Sequence, residues 1–138
     1  WKLVDLYNQK KVSNGYIDRS ELYNKVSTHN KSQAKRPFRF VVADEIQDLS
    51  NVELRFLRSL VEEKENDMFL VGDPYQKIYA RKINFSATGI SVRGTRSKQL
   101  KINYRTSEEI KRLALSAIKG LNYDDFDGEY GRDSRQKP

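Results

Sequence analysis

The sequence predicts an α/β fold, a parallel sheet with flanking helices, on three observations. Two short apolar runs, Phe40, Val41, Val42, Ala43 and Met68, Phe69, Leu70, Val71, have the length and side chains of buried strands. Each runs into acid, the first into Asp44 and Glu45, the second into Gly72 and Asp73. A stretch of helical periodicity separates them, which makes the set a βαβ unit. Parallel strands joined by one crossover helix end on the same side of the sheet, so Asp44, Glu45 and Asp73 are expected around one crevice. Open α/β sheets bind their ligands at such crevices.

Each element has a local reason. Leu3, Leu6 and Tyr7 recur at helical spacing before Ser13, Asn14 and Gly15 stop a first helix over residues 1–12. Asp18 and Glu21 have the spacing of a capping box, and Leu22 and Val26 share a face, so a second helix covers residues 19–27. Residues 27–37, with Lys31, Lys35, Arg36 and the lone His29, read as a polar, basic loop that Pro37 closes. Ser50 and Glu53 cap the crossover helix, whose apolar face is Val52, Phe56, Leu57, Leu60 and Val61. A helical turn over residues 74–79 and a long irregular connection over residues 80–98 follow. Leu100 and Ile102 alternate with polar neighbours as a brief strand. Thr106 and Glu109 then cap a helix carrying Ile110, Leu113, Ala114, Ala117 and Ile118, which Gly120 ends. The acidic-then-basic tail over residues 122–138 is expected to be disordered or a truncated element.

Composition narrows the function classes. The 138 residues, 37% apolar, suffice for one modest core, and 26 Lys and Arg against 19 Asp and Glu leave a charge of +7 that favours a polyanionic partner. No cysteine is present, which excludes disulfides and thiolate chemistry, and a single histidine argues against zinc. No apolar run approaches the roughly 20 residues that span a bilayer, so no membrane partner is expected and the location is read as cytoplasmic, nucleoid-associated in a bacterium. The chain starts at Trp1 and ends in a polar stretch, as an internal piece of a longer protein would.

Adjacent carboxylates at a strand end suit a metal-nucleotide site. Nucleoside triphosphate hydrolysis needs one group to hold Mg²⁺ and another to position and deprotonate water. On spacing alone, a solvated turn after a strand is the alternative. Three strings taken together go further. The Asp44, Glu45, Ile46, Gln47, Asp48 segment, DExQD, resembles the Walker B motif, motif II, of superfamily 1 helicases of the UvrD/Rep type. The Gly72, Asp73, Pro74, Tyr75, Gln76, Lys77, Ile78, Tyr79 segment is similar to motif III of that family, GDxxQxIY. The segment from Leu100 through Asn103, Tyr104 and Arg105 to Ile110 is similar to motif IV, LxxNYRxxxxI. The resemblance covers residues 38–119, with the motifs in family order.

That resemblance implies roles. Asp44 would bind Mg²⁺, and Glu45, reaching the metal only through water, would act as general base. Gln76 would sense the γ-phosphate, Arg105 would be an arginine finger, and Tyr104 would stack on the base of ATP. Gln47 and Asp48 would tie motif II to neighbouring loops. Single-stranded DNA would meet Tyr79, Arg81, Lys82 or Phe85, because the tryptophan common after motif III is absent. Arg93, Arg96, Lys98 and Lys101 read first as a solvated face.

The resemblance also implies a RecA-like, P-loop NTPase architecture. Residues 1–97 would be the back half of a first RecA-like domain and residues 98–138 the start of a second. The parent would be an ATP-dependent DNA helicase or translocase, moving 3′ to 5′ on single-stranded DNA and acting in DNA repair. A catalytically silent binding module on the same fold is the alternative. No GxxxxGK[ST] phosphate loop occurs in the sequence, so these residues alone are expected to be inactive. A sheet edge left open by the missing strand is expected to favour self-association.

Overall fold

The structure, a computed structural model, describes residues 1–77, 83–92, 96–100 and 102–119. Its elements are α1 (Lys2–Ser13), α2 (Arg19–Ser32), β1 (Val41–Ala43), a 3₁₀ turn (Ile46–Asp48), α3 (Asn51–Ser59), β2 (Met68–Leu70), a second 3₁₀ turn (Pro74–Gln76), α4 (Phe85–Thr88) and α5 (Glu108–Ala117). The result is α/β, with one parallel pair of strands in which Val41, Val42 and Ala43 stand opposite Met68, Phe69 and Leu70. The expected capping boxes start α2, from Asp18 and Glu21, and the crossover helix α3, from Ser50 and Glu53.

Three elements differ from expectation. First, α2 runs to Ser32 and so includes His29, because its polar positions find partners instead of ending the helix. The Ser27 hydroxyl donates to the Tyr23 carbonyl at 2.6 Å, and Asn30 Nδ2 donates to Ser59 Oγ of α3 at 3.2 Å. Second, residues 83–92 of the expected irregular connection return to the core. Asn84 caps α4, its backbone N–H donates to Asn51 Oδ1 at 2.9 Å, and Ile83, Phe85 and Ile90 are buried. Third, Leu100 and Ile102 form no strand; they are 90% and 66% exposed, because extended backbone becomes a strand only where a neighbour accepts its hydrogen bonds.

The core lies between the sheet, α3 and α4. Leu54 is fully buried among Ile46, Ile83, Phe85 and Ile90, with Ala43, Met68 and Leu70 of the strands against them. Leu54, absent from the expected apolar face of α3, is its centre because α4 closes over that side. Phe56 serves the other flank, its ring centroid 4.8 Å from that of Tyr23 on α2. Val61, past the end of α3, is 1% exposed and bridges in parallel to Phe38. Below α3 the Arg58 guanidinium pairs with Asp67 at 2.6 Å and sets the turn into β2. The far face of the sheet is open: Val42 is 76% and its partner Phe69 65% exposed, although parallel sheets are ordinarily covered on both faces.

Candidate functional site

The two strand ends are joined first by backbone. The Val71 N–H donates to the Ala43 carbonyl at 2.8 Å, and the Ile46 N–H donates to the Val71 carbonyl at 3.1 Å. These bonds bring the segment after β1 across the segment after β2. Gly72 permits the approach: a Cβ there would stand 2.6 Å from Ile46 Cγ1 and 2.9 Å from Gln47 Oε1. A side chain at that position cannot fit without moving a core isoleucine.

Side chains complete the junction. Gln47 is 3% exposed, and its amide points both ways. Its Nε2 donates to the Glu45 carboxylate, while its Oε1 accepts the Asp73 backbone N–H at 3.1 Å. Asp73 Oδ1 accepts the Tyr75 N–H at 3.0 Å, capping the second 3₁₀ turn, and its Oδ2 accepts from Gln76 Nε2 at 3.0 Å. Glu45, Gln47, Asp73 and Gln76 thus form one hydrogen-bonded string across the strand ends. Asp44 lies beside it, its Oδ1 accepting the Glu45 N–H at 2.8 Å.

Backbone strain marks the same point. Glu45 sits in the left-handed region at φ 55°, a conformation uncommon for a side-chain-bearing residue and concentrated at functional sites. Asp48 is exposed, and its N–H closes the first 3₁₀ turn onto the Glu45 carbonyl at 3.1 Å. Asp44 and Glu45 are also exposed. No group of three or more Asp, Glu or His among the described residues is placed to hold a metal. Open, hard carboxylate oxygens in ones and twos fit Mg²⁺, which keeps most of its waters and is completed by phosphate oxygens.

Among the described residues no hydrogen bond joins Tyr104 or Arg105 to this string. Asn103 organises their turn, its Oδ1 accepting the Arg105 N–H at 2.9 Å and the Thr106 N–H at 3.4 Å. Ser107, not Thr106, is the N-cap of α5 and accepts the Ile110 N–H at 3.4 Å. Thr106 is displaced from that duty because its hydroxyl is taken by Asn103 Nδ2. The Ser107 hydroxyl also holds the Glu109 carboxyl below its ordinary range. The α5 helix ends at Ala117, and Gly120 lies outside the described residues. Tyr104 is 89% exposed, Arg105 is exposed, and α5 buries no residue.

Of the expected nucleic-acid residues, Tyr79, Arg81 and Lys82 lie outside the described residues, as do Arg93 and Lys101. Phe85 is a correction. At 4% exposed it packs in the hydrophobic core, so its ring is spent on folding and is not presented to a base. Arg96 and Lys98 are exposed. Sequence reasoning understated Gln47 and Gly72. A glycine that closes an apolar run is a signal of close backbone approach and points to Gly72; the motif marks Gln47, but not which two groups its amide joins.

The family model described as the UvrD/REP helicase N-terminal domain matches residues 2–83. The chain is 36% identical over 87 residues, 60% of its length, to a protein named ATP-dependent DNA helicase srs2 from Schizosaccharomyces pombe. It is 25% identical over 147 residues, 92% of its length, to a protein from Lactobacillus helveticus that is named as a subunit of an ATP-dependent helicase/nuclease, and 25% identical over 153 residues to the Lactobacillus acidophilus protein of the same name. It spans 10% to 13% of the length of these relatives. No solved structure gives a significant match.

Proposed function

Because the chain belongs to the UvrD/REP helicase N-terminal domain family, we propose that it is the nucleotide-hydrolysing junction of an ATP-dependent DNA helicase. Residues 1–97 are the back half of a first RecA-like lobe and residues 98–138 the start of a second. The observation that carries the reading is the string Glu45, Gln47, Asp73, Gln76. Two strand-end segments are held so that a carboxylate and an amide are linked at one edge of a parallel sheet.

In this reading Asp44 would hold Mg²⁺, which would supply positive charge against the triphosphate. Glu45 accepts the proton of the attacking water. Gln76 hydrogen-bonds at the γ-phosphate, a task suited to a neutral group that both donates and accepts. Arg105 enters from the second lobe when the lobes close and stabilises the charge of the transferring phosphoryl group, with Tyr104 stacked on the base. Closure and release of the lobes move the protein 3′ to 5′ along single-stranded DNA inside the cell, with Tyr79, Arg81 and Lys82 on the strand. The 138 residues carry no phosphate loop and by themselves turn over no appreciable ATP. The open face with Val42 and Phe69, on a sheet of two strands among the described residues, supports self-association of the isolated chain. Light scattering that finds only monomer over a wide concentration range excludes it.

The deciding experiment is Glu45→Gln in the full-length parent. Loss of the base lowers the rate of DNA-stimulated ATP hydrolysis about 10²–10⁴-fold while nucleotide still binds. Wild-type turnover in that variant removes Glu45 from the chemistry. A parent whose phosphate loop is broken favours the silent binding module instead.

A further inference from the structure

We propose that Gln47 is a positioning residue that aims Glu45 at the attacking water and couples it to Gln76. The inference rests on the reading of Glu45 as base. Glu45 is exposed, and an exposed glutamate samples many rotamers. Only a fixed partner holds its carboxylate in one direction. Gln47 is such a partner because it is buried, 3% exposed, in a slot that exists because Gly72 lacks a Cβ.

The amide is an uncharged group that serves both neighbours at once, donating to a carboxylate through Nε2 and accepting a peptide N–H through Oε1. A charged residue in the slot would have to be buried against Glu45, and an apolar one would leave the Asp73 N–H without its acceptor. The string continues through Asp73, whose Oδ2 takes the Gln76 amide at 3.0 Å. A displacement of Gln76 at the phosphate is therefore passed through Asp73 and the Gln47 amide to the carboxylate of Glu45. Partners of this kind behind a reacting group commonly change activity 10–100-fold when removed.

The test uses the full-length parent. Gln47→Leu, near in volume but unable to hydrogen-bond, lowers kcat for ATP hydrolysis about 10–100-fold. KM for ATP and the affinity for a fluorescent non-hydrolysable ATP analogue stay within about twofold, since neither depends on the aim of the base. In the nucleotide-free protein the Asp73 backbone amide exchanges with solvent faster than in wild type. A Gln47→Leu/Gln76→Ala double variant loses less than the product of the single losses, as members of one unit do.

Wild-type kcat in Gln47→Leu alongside an inactive Glu45→Gln overturns the positioning role and leaves the base intact. Wild-type turnover in Glu45→Gln instead overturns the reading beneath it. Equal damage to kcat and nucleotide affinity marks Gln47 as structural only and also overturns the proposal. If Gln47→Leu does not fold, Gln47→Met keeps an unbranched, uncharged side chain of similar length in the slot and loses the amide donor. It must then show the same fall in kcat, and a wild-type rate refutes the inference.

Discussion

The βαβ unit and the segment from residue 96 to residue 119 carry equally distinct sequence motifs, yet they are held in opposite ways. In the βαβ unit, Leu54, Ile46 and Val61 are buried to 5% exposure or less, and the candidate groups are tied across 26 residues of sequence by the Gln47 to Asp73 bond. In the later segment, every hydrogen bond among the described residues spans three positions or fewer, apart from the helical ladder itself. Leu100, Tyr104, Ile110 and Leu113 lie open at 90%, 89%, 58% and 73%. The contrast teaches that caps and Asx turns shape a motif locally but cannot bring it to another motif. Convergence requires a buried surface between them.

The hardest test of that contrast is Arg105→Ala in the full-length parent. If the exposed segment swings onto the string when the lobes close, turnover falls about 10³-fold or more with little change in nucleotide affinity. An unchanged rate would mean that the two segments never meet in catalysis. Next in size is the difference between two leucines. Leu54→Ala lowers the unfolding free energy of the chain by roughly 2–5 kcal/mol, as full burial demands. Leu113→Ala changes it by less than about 0.5 kcal/mol. Chemical denaturation followed by circular dichroism checks both, and similar losses would show that α5 is packed after all.

Gly72→Ala probes the close approach of the strand ends. The new methyl must displace Ile46 or the Gln47 amide, so stability drops by about 1–3 kcal/mol. A neutral substitution would show that the junction has slack.

The smallest effect belongs to the corner between α1 and α2, held by charge and not by burial. The Glu21 backbone N–H, with the Lys11 ammonium adding, keeps the Asp18 carboxyl below its ordinary value; the Lys11 hydrogen bond does the same for Glu21. The Glu21 carboxylate in turn raises Lys11. For the two acids, whose folded values are depressed, the stabilisation is present above the unfolded carboxylate values near pH 4 and fades as pH falls through the folded ones. For Lys11 it is present below the unfolded value near pH 10 and fades as pH rises through the folded one. The two acids meet solvent, so added salt weakens the effect, although the Lys11 side chain is only 12% exposed. Thermal melts from pH 2 to pH 7 at low and high salt would reveal a slope that salt flattens; no slope at low salt removes the ion pairs from the stability of the corner.

The sequence by itself determined the residues that cap α2 and α3, which depend on hydrogen bonds three residues long, and the parallel sense of β1 and β2, which a single crossover helix imposes. It also determined which family the chain belongs to, through motifs whose order is linear information. Tertiary structure alone decided that Leu54 is the centre of the core, that Phe85 is inside, and that Gln47 bridges two strand ends. Those outcomes turn on which distant surfaces close over a side chain. Burial of Leu54 needs α4, and the slot for Gln47 needs Gly72, 25 positions away. No window of neighbouring residues contains both halves of such a contact, so only the folded chain brings them together.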